Sequence, residues 1–372
     1  MARLAPLNHP LIRREENGGS PAVWPGRMLS SLRNGTIGGN DMTHVHKIAA
    51  IACAALMPFG VLAEEIVLKS VSAWPANYAV VKDYQQFIDA VNQAGKGIVR
   101  IDSMGGPEAI PADQQATAVR NGVVDIQFGA ASYYGGTVPE ADALKASRKS
   151  PVEARASGAT ALLSDIWRQR LNAVILGWQS GGTGFHIYLT EPPKLTPTGQ
   201  PDLTGLKLRS SSAYKEWFQA LGATNVMMAP AETFSAFERG MLDGLAIAAI
   251  NFSDLGIEHF IKARIDPQVW QIDTLIIMNA DSFDGLTPEA RQILTDAAIA
   301  REKATIDSFA AMNAAEDQAQ AAAGIQFVTL DQAAAQAYRD QAHDLVWQRL
   351  ERAAPDHAAA LRQALGQDEA TE

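Results

Sequence analysis

The sequence predicts an α/β protein built from two lobes of similar construction. Strand and helix patterns alternate along residues 66–129, as they do in the β-α-β units of a parallel sheet. The pattern A-x-x-x-G-x-x-D occurs at residues 118–125 and again at 236–243. A helical stretch that begins at Thr287 contains no Pro or Gly from Glu289 to Ala323, which makes it longer than one small domain requires.

The predicted elements of the first lobe follow from apolar periodicity and from glycines that end helices. In order they are a buried strand Ile66–Val71, a helix with apolar residues at 80, 84, 87, 88 and 91 that ends at Gly95, a strand Ile98–Ile101, a helix that ends at Gly122, and a strand Val124–Gly129. Such an order is typical of a parallel sheet.

The repeated pattern has a simple physical meaning. In each copy a helix is closed by a glycine in the left-handed conformation, Gly122 or Gly240, and an Asp stands at the start of the next strand. Each copy also follows a predicted strand, Ile98–Ile101 or Val226–Met228. The repeat favours two equivalent lobes, with a chance match as the alternative.

Three further helices can be placed. Ser150-Pro151-Val152-Glu153 is a capping box that opens a helix extending to Trp167, and a second helix spans Ser212–Leu221. The third covers about 36 residues from Thr287 to Ala323, or ~54 Å at 1.5 Å per residue. We expect it to run along both lobes; the alternative is a helical hairpin broken near Asn313.

Composition excludes several classes of protein. The chain has 372 residues, of which 47% are hydrophobic, and 31 basic against 41 acidic side chains give a net charge of −10. A chain this apolar folds, and without a basic cluster it is not expected to bind nucleic acid. A single cysteine, Cys53, excludes a disulfide framework and a cysteine-based zinc site.

The region around Cys53 has the features of a secretory signal. A weakly basic start, the apolar run Ile48–Leu62 and small residues before Glu64 predict a signal peptide over residues 42–63, because this run is too short for a membrane span. A buried helix and a lipoprotein site at Cys53 are the alternatives. Residues 1–41 are predicted to be a non-native or disordered extension, and whether Met1 or Met42 is the start stays open. We therefore expect a periplasmic protein.

No catalytic or metal-binding pattern is present in the mature chain. Its four histidines, His186, His259, His343 and His357, have no paired spacing, and no nucleophile motif follows a strand. Gly181–Gly184 is predicted to be a tight turn, with a phosphate cradle as the alternative. No enzyme activity and no cofactor are expected, although an exported α/β enzyme and a cation in the cleft remain open.

Arg209 is the strongest candidate for a ligand-binding cation. It ends the predicted strand Gly205–Arg209, and open α/β sheets bind ligands at the carboxyl ends of their strands. Its guanidinium is suited to a bidentate carboxylate contact. A surface arginine paired with a nearby acid is the alternative.

The chain also resembles a known family. The run Asp202–Arg209, the segment Ala220–Thr224 and the segment Phe237–Gly244 resemble the core of the extracytoplasmic solute receptors of TRAP (tripartite ATP-independent periplasmic) transporters, of the C4-dicarboxylate receptor type. The resemblance extends from about Ile66 to Leu365 and includes Val138-Pro139-Glu140.

This resemblance implies a two-lobed periplasmic solute-binding fold with a long helix spanning both lobes. It implies a receptor that closes on a small organic acid and delivers it to the membrane permease subunits of a TRAP transporter. Arg209 stands at the position of the family's carboxylate-clamping arginine. We expect residues 64–188 with about 274–305 to form lobe I, and 189–273 with about 306–372 to form lobe II.

Two departures from the family indicate a monocarboxylate ligand. Many members have an arginine in the strand after the glycine turn, where this chain has Phe185 and His186. Members often place Asn or Glu after the second-lobe Asp-Gly, whereas residues 245–249 are apolar here. Because a second buried charge would have no partner, we expect a 2-oxo, 2-hydroxy or aromatic acid; a dicarboxylate is the alternative.

The remaining candidate ligand contacts are polar residues near the predicted strand ends and aromatic walls. The polar candidates are Gln127, His186 and Asn251. The aromatic candidates are Trp74, Tyr78, Tyr133, Tyr134, Trp178, Phe185 and Trp270, each with a core position as the alternative.

Overall fold

The computed structural model describes residues 64–228 and 232–366. The predicted extension and signal peptide, residues 1–63, lie outside the described residues. In chain order the strands are β1 (Ile66–Ser72), β2 (Val99–Ser103), β3 (Ile126–Ala130), β4 (Ala173–Trp178), β5 (Phe185–Leu189), β6 (Lys194–Leu195), β7 (Pro201–Asp202), β8 (Lys207–Ser210), β9 (Thr224–Met227), β10 (Gly244–Ala248), β11 (Ala263–Val269), β12 (Thr274–Asn279) and β13 (Gln326–Thr329).

The α-helices pack around these strands, joined in places by short 3₁₀ turns. They are α1 (Ala79–Ala94), α2 (Ala112–Arg120), α3 (Asp142–Lys145), α4 (Pro151–Ala156), α5 (Ala159–Leu171), α6 (Lys215–Ala220), α7 (Thr233–Glu238), α8 (Ala280–Gly285), α9 (Pro288–Ala322), α10 (Gln332–Ala353) and α11 (Pro355–Leu365).

Two mixed sheets form the framework. The first has the order β2-β1-β3-β12-β4, with β1 parallel to β2 and β3, and β12 antiparallel to both its neighbours. The second has the order β13-β11-β5-β10-β8-β9, in which β5 is antiparallel to β10 and β11. This is the two-lobed α/β fold that the sequence predicts.

The chain passes from the first sheet to the second after β4 and returns between β11 and β12. Because β5 pairs with β10 and β11, a division by sheets falls between Trp178 and Phe185 rather than at residue 188. The C-terminal helix α11 lies in the range expected for lobe II. It packs against α3 and α5, which lie in the range expected for lobe I. The division into lobes by residue ranges therefore stays a proposal.

The repeated pattern builds the same junction in both sheets. The carboxylate of Asp125 accepts a hydrogen bond from the Lys69 backbone N–H at 2.8 Å, and that of Asp243 accepts one from the Lys207 N–H at 2.7 Å. Gly122 and Gly240, with φ of 67° and 64°, end the preceding helical segments. The two copies are therefore structurally equivalent.

The predicted helix from Pro151 to Trp167 forms as two helices. Its capping box is present, since Ser150 Oγ accepts from the Glu153 N–H at 3.3 Å and the Glu153 carboxylate accepts from the Ser150 N–H at 2.8 Å. Gly158, with φ of 84°, then separates α4 from α5. A left-handed residue cannot continue a right-handed helix, which explains the break.

The long helix is continuous. α9 contains 35 residues, about 52 Å at 1.5 Å per residue, and it passes through Asn313 without a break. Its N-cap Thr287 accepts a hydrogen bond from the Ala290 N–H at 3.2 Å, and Gly324, with φ of 83°, follows its end. The hairpin alternative is excluded.

Side-chain contacts attach α9 to both lobes. In its first half, Glu302 accepts hydrogen bonds from Arg155 Nε at 2.6 Å and from the Trp178 N–H at 2.8 Å, both from first-lobe elements. In its second half, Asp317 accepts from Arg264 of β11 at 2.5 Å. The predicted span of the helix over both lobes is therefore confirmed.

Candidate functional site

A small cavity lies where the two sheets approach each other. Its volume is about 110 Å³, and it adjoins the ends of β3, β8 and β10 and the return crossing into β12. It is lined by Trp74, Tyr78, Ala130, Ser132, Tyr133, Phe185, Arg209, Tyr214, Thr233, Leu245, Ala246, Ile247, Ala248, Asn251, Leu255, Ile272, Asp273 and Thr274. Both lobes contribute to this wall, as a ligand site in a cleft requires.

Arg209 supplies the positive charge of the cavity. It lies in β8, in register with Leu245 of β10 and Val226 of β9, and it is 9% exposed. One Nη donates to the Met228 carbonyl at 3.1 Å, and Nε is buried without a hydrogen-bond partner. Within residues 64–228 and 232–366, no carboxylate forms an ion pair with it, so the alternative of a surface arginine paired with an acid does not fit.

Asp273 supplies a negative charge in the same wall. It stands in the crossing just before β12 and is 2% exposed. Its Oδ2 accepts a hydrogen bond from the Ser132 N–H at 2.6 Å, and its carbonyl accepts from the Ala131 N–H at 2.9 Å. Sequence reasoning missed this residue, although an acid directly before an apolar strand was a usable signal.

Two pairs of aromatic side chains form part of the wall. Trp74 Nε1 donates to the Tyr133 hydroxyl at 3.1 Å, which fixes the phenol beside the indole. In the second pair, the Phe185 and Tyr214 rings make an edge contact, with centroids 5.7 Å apart. These rings provide apolar surface together with hydroxyl groups.

The two phenols lie in the field of both charges. Desolvation raises the pKa of Tyr133, the Trp74 hydrogen bond and the charge of Arg209 lower it, and Asp273 raises it further. Desolvation likewise raises the pKa of Tyr214, with Arg209 opposing and Asp273 adding to the rise. Both phenols therefore stay protonated near neutral pH and can donate a hydrogen bond to an anion.

Asn251 adds an amide to the wall. It follows β10 at the end of a short turn, and its Oδ1 is buried without a hydrogen-bond partner among the described residues. An unsatisfied amide beside a cavity is available to a bound polar group.

The structure brings most of the predicted site residues to one place. Six of the predicted positions line the cavity: Arg209, Trp74, Tyr78, Tyr133, Phe185 and Asn251. Besides Asp273, sequence reasoning also missed Tyr214 as a wall residue, since it was placed only on the predicted helix Ser212–Leu221.

Three predicted ligand contacts are not in the cavity wall. Gln127 is fully buried, and its Nε2 occupies the space above Gly129, where an added Cβ would lie 2.1 Å from it. His186 Nδ1 lies 2.8 Å from Asp266 and 3.1 Å from the Ile265 carbonyl oxygen. Trp270 donates to the Ala342 carbonyl at 2.8 Å and stacks behind Tyr214.

Two further aromatic candidates belong to the core. Trp178 is 1% exposed and donates to the Ile272 carbonyl at 2.9 Å. Tyr134 is 6% exposed, and its hydroxyl accepts from Trp167 Nε1 at 3.1 Å. In both side chains the polar atom forms its hydrogen bond with a buried group of the protein, as buried Trp and Tyr usually do.

Gly181–Gly184 forms the predicted turn. The Thr183 N–H donates to the Ser180 carbonyl at 3.0 Å, and Gly181 and Gly182 have φ of 55° and 74°. The turn joins β4 of one sheet to β5 of the other and is therefore a crossing rather than a hairpin.

The described part of the chain has neither a metal-ligand cluster nor a membrane-spanning helix. No three His, Cys, Asp or Glu side chains in it cluster as a metal site would need. Residues 64–228 and 232–366 contain no helix that combines the length and apolar character needed to cross a membrane.

The fold defines a class: a two-lobed α/β solute receptor with a cavity between its sheets. The family described as "Bacterial extracellular solute-binding protein, family 7" (DctP) matches residues 70–352. The chain belongs to this family, and it is therefore a binding protein and not an enzyme. The resemblance to TRAP solute receptors is confirmed.

Individual relatives share this architecture at low identity. A "Solute-binding protein" of Albidiferax ferrireducens is 23% identical over 316 residues, covering 79% of this chain and 90% of the relative. DctP7 of Bordetella pertussis, a receptor described as binding pyroglutamic acid, is 21% identical with a TM-score of 0.69, covering 81% of this chain and 99% of DctP7.

A second similar structure comes from a marine metagenome. This TRAP solute-binding protein, described as specific for aromatic acid ligands, was crystallised with 3-hydroxybenzoate. It is 20% identical with a TM-score of 0.65, covering 81% of this chain and 97% of that one. At this identity the likeness establishes the fold, and the ligand has to be argued from this chain's own residues.

Proposed function

We propose that this protein is the periplasmic receptor of a TRAP transporter and that it binds a small monocarboxylate in the cavity between its lobes. Arg209 holds the carboxylate, and the aromatic wall contacts the body of the acid. The observation that carries the proposal is a buried guanidinium beside a cavity with no carboxylate partner in the described chain. A buried charge is stable only when it is paired, and a bound acid provides the missing partner.

The geometry around Arg209 supports a clamp. Nη2 donates one N–H to the Met228 carbonyl, which orients the guanidinium, and its second N–H can still pair with a neighbouring N–H of the fork toward a ligand. Two parallel charged hydrogen bonds to a carboxylate give both energy and orientation. The protonated hydroxyls of Tyr133 and Tyr214 can support the same anion.

The presence of Asp273 favours a ligand with one carboxylate rather than two. A second ligand carboxylate would lie in a small cavity that already contains this acid, and like charges at close range repel. The strand that lines the cavity beside Arg209, residues 245–248, offers no cation either. These observations favour a monocarboxylate over the C4-dicarboxylate alternative.

The ligands of similar receptors are consistent with this choice. Pyroglutamic acid in DctP7 and 3-hydroxybenzoate in the metagenomic receptor each carry one carboxyl group. We propose a ligand of the same kind for this chain, a compact acid whose body is cyclic, aromatic or short.

Delivery requires the lobes to open and close. We propose that ligand binding selects the closed state and that the membrane permease recognises the closed surfaces of both lobes. α9 is attached to both lobes through Glu302 and Asp317, so it would bend or pivot in this motion. A periplasmic location, reached through a signal peptide at residues 42–63, is part of the proposal.

A thermal-shift screen tests the proposal. The mature protein is heated with a panel of monocarboxylates and dicarboxylates, because a ligand at a hundred times its Kd adds ~2.7 kcal/mol to native stability. We expect a shift with monocarboxylates that is lost in Arg209→Ala. Arg239→Ala is the control, since Arg239 is exposed on the same lobe and does not line the cavity.

The absence of a shift with every acid would contradict the receptor's proposed ligand class. Shifts confined to dicarboxylates would show that Asp273 does not exclude a second carboxylate. A shift that persists in Arg209→Ala would remove Arg209 from the site.

A further inference from the structure

We infer that the bound monocarboxylate carries a hydrogen-bond donor, an N–H or O–H group, and that Asp273 accepts this hydrogen bond. The inference rests on the proposed function and narrows its ligand class. Its starting point is Asp273, a second charged side chain in the cavity wall. Asp273 is negatively charged, so it cannot pair with the carboxylate of a ligand.

The carboxylate of Asp273 is not satisfied by the protein alone. A carboxylate can accept up to four hydrogen bonds, whereas within the described residues this one accepts a single bond, from the Ser132 N–H to Oδ2. Oδ1 receives no donor from residues 64–228 or 232–366. An acid that is 2% exposed has little access to bulk water, so a bound donor would supply the missing interaction.

No protein cation neutralises Asp273 in the described chain. Arg209 lines the same cavity but forms no ion pair with it. Both charges act on the phenols of Tyr133 and Tyr214, which places them around the same space. A ligand in this cavity therefore meets both a cation and an anion.

This pair of charges selects a ligand of matching polarity. Its carboxylate binds Arg209, and its N–H or O–H group binds Asp273. An acid of the same shape without a donor would leave Asp273 buried and unpaired, and sites built around a polar group reject such analogues strongly. The aromatic wall and residues 245–248 accept the apolar part of the molecule.

The competing explanation is that Asp273 only fixes the turn that follows β3 through the Ser132 N–H. Asp273→Asn separates the two roles, because the amide oxygen still accepts from Ser132 while the negative charge is gone. Asp125→Asn is the matched control. Asp125 also accepts from a backbone N–H, that of Lys69 at 2.8 Å, but it does not line the cavity.

The test is calorimetric titration with pairs of acids matched in shape: 3-hydroxybenzoate with benzoate, pyroglutamate with cyclopentanecarboxylate, and lactate with propionate. We expect the donor-bearing member of each bound pair to bind at least about tenfold tighter to the wild type. Asp273→Asn should reduce this preference to about threefold or less, and Asp125→Asn should leave it unchanged.

A wild-type preference below about threefold in every bound pair would overturn the inference, as would a preference that Asp273→Asn retains. In both cases the proposed function would still stand if binding required Arg209. Failure of the wild type to bind any acid would instead overturn the proposed function, and the inference with it. If Asp273→Asn does not fold, Asp273→Glu is used instead, because the longer side chain displaces the carboxylate. The ratio of the two Kd values within each pair of acids then tests the inference in the same way.

Discussion

Arg209 and Asp273 both line the cavity at the junction of the two lobes, and they form no ion pair with each other. A cation and an anion that are both buried, and that share the neighbours Tyr133 and Tyr214, form a polar frame for a ligand. This frame is the basis of our proposal that the cavity accepts one carboxylate and disfavours a second.

The first prediction concerns the shape of the cation. Arg209→Lys keeps the charge but loses the planar fork, so a single point contact replaces two parallel hydrogen bonds. We expect the Kd for the best monocarboxylate to rise by about 10- to 100-fold, with an unchanged melting temperature of the free protein. Titration calorimetry measures the change. Equal affinity in Arg209→Lys would show that the contact is not bidentate.

The second prediction concerns the crossing between the sheets. A Cβ at Gly181 would lie 2.5 Å from the Thr305 carbonyl oxygen and 2.7 Å from Phe309 Cβ, both in α9, whereas one at Gly182 meets nothing within 4 Å. Both glycines have positive φ. Gly182→Ala should therefore destabilise by about 1–2 kcal/mol from backbone strain alone. Gly181→Ala should add about 1–3 kcal/mol of steric overlap.

Urea unfolding of the two glycine variants measures the difference, with Gly182→Ala as the internal control for strain. Equal unfolding midpoints would mean that a Cβ at Gly181 does not overlap with the Thr305 carbonyl oxygen of α9.

The third prediction concerns the attachment of α9 to the first lobe. Glu302 is 1% exposed and accepts hydrogen bonds from Arg155 Nε and Nη2, at 2.6 and 2.7 Å, and from the Trp178 N–H. Glu302→Ala leaves buried donors without an acceptor and should destabilise by about 3 kcal/mol in chemical denaturation. Asp307→Ala, an exposed acid on the same helix, should change stability by less than about 0.5 kcal/mol. Comparable effects of the two substitutions would contradict this account of the attachment.

The fourth prediction concerns pH. Burial lowers the pKa of His343, Arg148 adds to this, and the Ala146 carbonyl, Asp340 and Asp344 oppose it. The folded state therefore disfavours protonation, so the contribution to stability is present above the unfolded pKa of about 6.5 and is lost as the pH falls below it. His343→Gln should reduce the drop in melting temperature between about pH 7.5 and 5.5.

His259→Gln is the control for this experiment, since His259 is exposed. An undiminished drop in His343→Gln would assign the acid sensitivity to other groups.

Much of the framework could be predicted because its signals are local. The glycines that end helices, the capping box at Ser150 and the uninterrupted run after Thr287 each act within a few residues, and all three form as predicted. Asp125 and Asp243 were recognised as a repeat, and their hydrogen bonds are the same.

Contacts between residues that are distant in the sequence could not be predicted from such local patterns. β5 pairs antiparallel with strands about 60 and 80 residues away, which no local pattern specifies. Tyr214 carries a helical signal but turns toward the cavity, and Asp273 enters the wall only because the return crossing passes there. His186 lies on the predicted strand, yet its ring contacts Asp266 instead of the cavity.

The most direct test is calorimetric titration of the wild type and Arg209→Ala with the best monocarboxylate from the screen and with succinate. We expect measurable binding only when the wild type is titrated with the monocarboxylate. Tight binding of succinate, or binding of the monocarboxylate by Arg209→Ala, would contradict the claim that this receptor uses Arg209 to hold a single carboxylate.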